Sequence, residues 1–434
     1  MKKKLILSAM LLSALFSAKA QDFNTYFDDA SLRLDYIFAG NADSQSIYLK
    51  DVSRTSSWAG RRTNLSKLLL KGNGQITVTD DSTGTVIYTN SFSTLFQEWQ
   101  STEEATRVNK AFDNCWLIPA PKRKAKVTVS ITNMHNRSVT TMSHTIDPSD
   151  ILIRPIKDNG IPRREIMHGG PSDKCIDIAI VAEGYTADEQ EKFFEEAKRA
   201  AEAIFSHEPF ASRKADFNVI AVASPSGDSG PCIPREGKWK QSAVRSHYDT
   251  FYTDRYLMTS EMTRVADILG DTPYEHVIVL VNSPTYGGGG IYNQITLSTT
   301  RHATFRQVLV HEFGHAFGGL GDEYYYDDQY TTMYPAGVEP WEPNLTTLTD
   351  FASKWQDMLP EGTPIPTKPD GKDVTTKVGV YEGGGYQSKG VYRPVQECRM
   401  KINEVEDFCP VCTRAILRTI DFYTGKKTFY NKDM

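Results

Sequence analysis

Up to about position 155 the chain alternates apolar and polar residues. Leu32-Arg-Leu-Asp-Tyr-Ile-Phe38, Gln75-Ile-Thr-Val-Thr79, Thr85-Val-Ile-Tyr88 and Lys126-Val-Thr-Val-Ser-Ile131 carry the period of two that predicts half-buried strands. Turn signals separate them, most clearly Gly72-Asn73-Gly74 and Asp80-Asp81-Ser82. Short strands at this spacing predict a β-sandwich over residues 21–156. The segment 92–104, with Trp99, reads as a short helix or loop packed on it.

Residues 157–174 read as a linker, rich in turn formers and charge, ending in Gly169-Gly170-Pro171. The pattern then changes. Ile176-Asp-Ile-Ala-Ile-Val-Ala182, Phe217-Asn-Val-Ile-Ala-Val-Ala223 and His276-Val-Ile-Val-Leu-Val281 are nearly continuous apolar runs, as strands buried on both faces require. A fourth strand is expected over Ile291-Tyr-Asn-Gln-Ile-Thr-Leu297, after the glycines 287–290. Between the runs, Thr186 and Glu189 form a capping-box pattern before a helix with Phe193, Ala197, Ala200, Ala201 and Ile204 on one face. A second helix over residues 259–269 is closed by Gly270. Strands alternating with helices predict an α/β layer over residues 175–434. The fold class expected is therefore α+β with two domains, and the second block is expected to fold on its own.

Length supports two domains, since 434 residues exceed what one core usually serves. A formal net charge of −5 argues against a general nucleic-acid binder, which should be basic. Residues 1–20 carry Lys2, Lys3 and Lys4, then an apolar run too short to span a bilayer, then Ala18-Lys19-Ala20. This is the pattern of a cleaved signal peptide, so the chain is expected to be exported and to work in the periplasm, at the cell surface or outside the cell. No later segment suggests a membrane span. Export implies an oxidising compartment, so the six cysteines (Cys115, Cys175, Cys232, Cys398, Cys409 and Cys412) are expected in disulfides, with Cys398 a partner for the Cys409-Pro-Val-Cys412 pair.

The chemistry concentrates in a helix over residues 304–317, which contains His311-Glu312-Phe313-Gly314-His315. Histidines four apart share a helix face and can reach one Zn²⁺ at about 2.0–2.1 Å. Glu312 leaves the helix about 100° round from His311, beside the metal rather than on it, where it can take a proton from a zinc-bound water. Gly318-Gly319-Leu320-Gly321 stops the helix and turns the chain back, so that Asp322 arrives as the favoured third ligand. Glu323 and a glutamate on a later helix are the alternatives.

The stretch His311-Glu-Phe-Gly-His-Ala-Phe-Gly-Gly-Leu-Gly-Asp-Glu-Tyr324 resembles the motif of the bacterial IgA-peptidase family of zinc metallopeptidases. Trp58-Ala-Gly-Arg-Arg-Thr-Asn-Leu65 and Ser91-Phe-Ser-Thr-Leu-Phe-Gln-Glu-Trp99 resemble that family's N-terminal β-domain. The wider likeness is to metzincins, from which the chain departs by one residue, Gly321, before the acid Asp322. Glu397-Cys398-Arg399-Met400 resembles the methionine turn those enzymes place beneath the metal, with Met333 and Met358 as competitors. The resemblance implies a metzincin-like zinc metallopeptidase with ligands His311, His315 and Asp322 and base Glu312. Its substrate is expected to be extended polypeptide, with immunoglobulin A one candidate, laid along residues 292–297 as an added strand. Tyr324 or a neighbour is a candidate to steady the oxyanion; the stretch 323–330 is expected to be a solvated acidic loop, with lining of the cleft or binding of a second cation as the alternatives. Two other readings stay open: a surface binding protein with a lapsed peptidase domain, and a zinc amidase acting on cell-wall peptides.

Overall fold

The computed structural model describes residues 22–132, 139–327 and 333–426. The expected signal sequence, residues 1–20, lies outside them, as do residues 328–330 of the aromatic-acidic stretch.

The chain enters through a one-turn helix, α1 (Phe23–Tyr26), and β1 (Phe27–Gly40), β2 (Gln45–Arg54), β3 (Gly74–Asp80) and β4 (Val86–Phe92) follow. After α2 (Leu95–Trp99) come β5 (Lys110–Pro121), β6 (Ala125–Thr132), β7 (Val139–Ile146) and β8 (Arg154–Pro155). They form two four-stranded sheets, in the orders β5-β1-β2-β8 and β4-β3-β6-β7. In β3 every second residue is buried, as its alternation requires. Leu34, Phe38 and Trp116 from one sheet and Ile76, Val127 and Val129 from the other belong to a single apolar core.

The second half is built on one six-stranded sheet. Its strands are β9 (Arg163–Met167), β10 (Ile176–Glu183), β11 (Phe217–Val222), β12 (His276–Val281), β13 (Gly288–Ile291) and β14 (Ile295–Thr299), in the order β13-β14-β12-β10-β11-β9. The inner four are parallel, and β13 and β9 run antiparallel along the two edges. The linker expected at 157–174 therefore contains an edge strand. Its charged residues, Arg163, Arg164 and Glu165, hid it, and such charge keeps an exposed edge from pairing with other chains.

Alternation in the central strands feeds two cores. Ala179, Val181, Val277 and Val279 join the core of the N-terminal sheets. Ile178, Ile180, Ile278 and Leu280 face the opposite core, with residues of α3 (Gln190–Ile204), α5 (Phe305–Gly318) and α6 (Pro410–Thr424). Burial on both faces is why these runs hold so few polar positions. The capping box before α3 forms, the Glu189 carboxylate accepting from the Thr186 N–H at 3.0 Å. A short helix, α4 (Met262–Leu269), ends on Gly270. A three-stranded sheet of β15 (Tyr325–Tyr326), β16 (Tyr381–Gly384) and β17 (Tyr386–Arg393), ordered β15-β17-β16, completes the described chain.

The two halves are joined by more than the chain. The Ser93 N–H donates to the Tyr292 carbonyl at 2.9 Å, Asn293 Nδ2 to the Ser91 carbonyl at 2.7 Å, and Gln294 Nε2 to Asn114 Oδ1 at 2.9 Å. Buried Arg33 bonds Asp35 at 2.8 Å and reaches across to Asp267 at 2.6 Å. A second block that folds alone would lose one of the faces on which its central sheet is packed.

All six cysteines carry free thiols, so the disulfides expected of an exported chain are not formed. Cys115 lies in β5, Cys175 precedes β10, and Cys232 sits in an isolated bridge with His247. Cys398, Cys409 and Cys412 do come together, but as separate thiols.

Candidate active site

The site starts from α5 and its end. Gly319 adopts φ +61°, the left-handed conformation that closes a helix, and its N–H donates to the His315 carbonyl at 3.0 Å. The chain then reverses. Asn344, fully buried, clamps the reversed segment: its Oδ1 accepts the Gly321 N–H at 2.7 Å and its Nδ2 donates to the Gly321 carbonyl at 2.9 Å. The extra residue relative to the metzincin spacing is held by this amide.

Asp322 is delivered to the histidines. The Nε2 atoms of His311 and His315 lie 3.0 Å apart, and Asp322 Oδ1 lies 3.1 Å from the first and 3.2 Å from the second. Glu323, the alternative, points elsewhere. In an extended backbone successive side chains project to opposite sides, and the Glu323 carboxylate meets Asn344 Nδ2 at 2.9 Å and the Cys412 thiol at 3.3 Å.

Hydrogen bonds behind the histidines fix what they offer. The backbone carbonyl of Arg399 lies 3.0 Å from His311 Nδ1, and that of Leu320 lies 2.6 Å from His315 Nδ1. A carbonyl can only accept, so each Nδ1 carries a proton and, in the neutral imidazole, each Nε2 presents a lone pair. Two such lone pairs and a carboxylate oxygen meeting within 3.2 Å repel one another unless a cation lies among them.

Electrostatics agrees. Burial disfavours the charged form of both histidines, but the nearby Asp322 and Glu312 carboxylates outweigh it, raising His311 and pushing His315 up to about 10. Burial works against the Asp322 carboxylate as well, yet the two histidines hold its pKa far below the usual carboxylate range. Both directions show that these three donors together favour a positive charge among them. The donor set suits a metal: three donors bonded at about 2.0–2.1 Å in tetrahedral geometry stand roughly 3.3 Å apart, close to the separations seen.

Glu312 flanks the triangle, and its ligand-type oxygen lies within 4.8 Å of those of His311 and His315. Burial raises its pKa above the ordinary carboxylate value. Edge strand β13 runs beside it. A Cβ built on Gly290 would lie 2.2 Å from the Glu312 carbonyl oxygen, so only glycine allows this approach. The strand expected over 291–297 is in fact two, β13 and β14, joined by a turn at 292–294. Gly288, Gly289 and Gly290, expected to precede the strand, form its edge, where the Gly288 carbonyl accepts the Leu257 N–H at 3.4 Å.

The site opens into a cavity of about 810 Å³. Its wall comes from both halves of the chain: Thr94 and Glu98 from the N-terminal region face Tyr256, Gly288, Glu312 and Tyr386. Burial drives the Glu98 carboxyl up to about 7, and it accepts a hydrogen bond from the Tyr256 hydroxyl. Tyr386 donates its hydroxyl to Asp322 Oδ2, and the Tyr324 hydroxyl reaches Tyr386 at 3.5 Å. Beneath the helix lies Met400, fully buried, its Sδ 2.8 Å from where a Cβ on Gly314 would sit.

The sequence profile of the family described as IgA Peptidase M64 matches residues 164–376 and 370–420, and that of the Peptidase M64 N-terminus matches residues 22–143. The chain belongs to the M64 family of IgA peptidases. It is thus a metallopeptidase, a hydrolase of peptide bonds with polypeptide as substrate and a metal as cofactor. No curated protein matches it. Among the described residues no helix of this M64 peptidase is long and apolar enough to cross a membrane.

Sequence reasoning missed Tyr386, Asn344 and Glu98, and the carbonyls of Arg399 and Leu320. None has a local signal: Asn344 and Tyr386 lie 23 and 64 residues from their partners in the site, and carbonyls carry no sequence identity. Only the Gly-Gly-Leu-Gly turn hinted that something must hold it.

Proposed function

We propose that this M64 peptidase is an exported zinc-dependent endopeptidase acting on extended polypeptide, with His311, His315 and Asp322 as metal ligands and Glu312 as general base. The observation that carries the reading is the near-equilateral triangle of Nε2, Nε2 and Oδ1, with both Nδ1 protons tied to carbonyls. A closed set of three nitrogen and oxygen donors facing a cleft is the arrangement of a hydrolytic zinc site. When bound, the metal supplies Lewis acidity and an acidified water. The protein's own residues do the rest. Glu312 accepts the proton of the attacking water and returns it to the leaving amine. Tyr386 orients Asp322 through its free oxygen. Beyond Gly288, which is already bridged to Tyr256, the edge of β13 offers backbone groups to a substrate strand, which favours cleavage within a chain over trimming of its ends.

The two N-terminal sheets, which share one core, support a β-sandwich reading, and the α5 turn with Met400 beneath it supports a metzincin-like one. Residues 1–20 support export to the periplasm, cell surface or medium. Immunoglobulin A is the substrate suggested by the family's name. A surface protein with a lapsed peptidase domain would not need Glu312 kept beside the donors. An amidase of cell-wall peptides would make little use of a strand edge along an 810 Å³ cleft.

Two substitutions test the roles. Glu312→Gln keeps the shape but cannot take a proton, so hydrolysis of unstructured protein should fall about 10²–10⁴-fold while bound zinc is retained. Asp322→Ala should lose metal and activity together. An Asp322→Ala protein that keeps full zinc through dialysis would refute the ligand assignment, and an active Glu312→Gln protein would refute the base. Cleavage of peptidoglycan peptides in place of protein would favour the amidase.

A further inference from the structure

Behind the catalytic donors lies a second cluster that peptide hydrolysis does not use. The ligand atoms of Glu323, Cys398, Cys409 and Cys412 all lie within 4.8 Å of one another, and all four residues are buried. We propose that these four residues form a second metal site, a closed structural zinc centre that holds the catalytic donors in place.

Several independent features fit it. The Sγ atoms of Cys398 and Cys412 are 3.8 Å apart. Two thiolates bonded to one zinc at about 2.3 Å in tetrahedral geometry stand ~3.8 Å apart, whereas a disulfide brings them to about 2.05 Å. Backbone amides turn toward the sulfurs: the Cys409 N–H donates to Cys398 Sγ at 3.3 Å and the Cys412 N–H to Cys409 Sγ at 3.5 Å. Cys409 caps the 15-residue helix α6, so the pair sits where the helix dipole favours thiolate.

The fourth donor, Glu323, is a fully buried carboxylate that forms no salt bridge among the described residues. Its Oε1 takes Asn344 and the Cys412 thiol, and its Oε2 has no hydrogen-bond partner. A buried carboxylate so poorly partnered is costly unless a cation completes it. Three thiolates and one carboxylate around Zn²⁺ would leave a net charge of about −2. Arg393 and Arg399, both buried, stand within electrostatic reach of Glu323 and Cys398.

The placement gives the centre its role. Glu323 follows Asp322, and its N–H donates to the Met400 carbonyl at 2.8 Å. Cys398 precedes Arg399, whose carbonyl orients His311. One ion bound to Glu323 and Cys398 would pin both segments that shape the catalytic triangle. Its donors are four and fully enclosed, which leaves no open position for water or substrate and marks a structural site.

The test uses the full purified chain. Metal analysis should find two zinc ions per chain. Replacement of zinc by Co²⁺ should give a near-ultraviolet thiolate-to-cobalt band that the histidine and aspartate site cannot produce. His315→Ala should lose one ion and keep the band. Cys412→Ser, which leaves two thiolates, should weaken the band, and Glu323→Gln should keep the band but cut metal retention at the thiolate site against a chelator by about tenfold or more, since a lost ligand costs at least what a lost outer-shell partner does. His315→Ala leaves the cluster intact, so the proposal stays testable even if Cys412→Ser does not fold. One ion per chain with no thiolate band and six reactive thiols would overturn it. A single ion with four reactive thiols in the denatured, unreduced chain would overturn it in favour of a disulfide.

Discussion

Gly290→Ala is expected to disable the enzyme without altering any of the proposed ligands or the proposed base. The new Cβ would sit 2.2 Å from the Glu312 carbonyl oxygen and 3.0 Å from both the Glu312 carbonyl carbon and His315 Cβ. Ordinary contact begins near 3.4 Å, so strand and helix must part by about 1.2 Å. The obstacle is helix backbone, which cannot swing aside as a long side chain does. Overpacking of this kind costs about 1–3 kcal/mol of stability. A catalytic group displaced by about 1 Å loses on the order of 10²-fold in rate. Gly290 does not have positive φ, so contact alone is responsible. The assay is kcat/KM on an unstructured protein substrate, with thermal melting and zinc content measured alongside. Gly227→Ala serves as control, its nearest neighbour being Gln241 at 3.3 Å. A Gly290→Ala enzyme within about threefold of the parent kcat/KM would refute the claim that β13 must lie against the active helix.

Three further outcomes follow from the site. Tyr386→Phe should lower catalytic metal affinity by about 10–100-fold while Glu312 chemistry persists at saturating zinc, read by chelator competition. Metal uptake at pH 7 should release protons, because His315 in the metal-free site titrates near 10, and apparent affinity should climb as pH rises toward that value; calorimetry in buffers of different ionisation enthalpy would expose a proton count of zero. In metal-free protein, Glu98 is raised by burial to about 7 from an ordinary value of 4.5. The folded state therefore binds the proton more tightly, and this stabilising term, full below the ordinary value, is lost as pH rises through about 7. Glu98→Gln should flatten that part of the profile of melting temperature against pH, and an unchanged profile would reject it.

Much of this was legible in the chain because physical periods survive in sequence. The buried runs at 176–182 and 276–281 carry the requirement of a sheet covered on both faces, and alternation at 126–131 that of a half-exposed strand. His311, Glu312 and His315 are legible because one helix turn sets their geometry, and Asp322 because glycines must return the chain. What failed was long-range or masked. β2 contains Lys50, Asp51 and Arg54, and its polar positions hid the strand. The glycines of β13 fall outside the expected strand because, lacking side chains, they carry no hydrophobic period. The cysteine reading took compartment as its guide, but Glu323 and the Cys398, Cys409 and Cys412 thiols are up to 89 residues apart and meet only in the fold.

The core shared by the N-terminal sheets and the central sheet bears on how such enzymes diversify. Because Thr94 and Glu98 stand in the cavity wall, the N-terminal region supplies one side of the cleft proposed to receive substrate. Drift in the loops around α2 can reshape what is admitted while leaving the metal donors untouched, so preference for a target can change on one side of the cleft and chemistry be inherited on the other. A chimaera carrying another family member's N-terminal block would then inherit that member's appetite together with this chain's hydrolytic machinery.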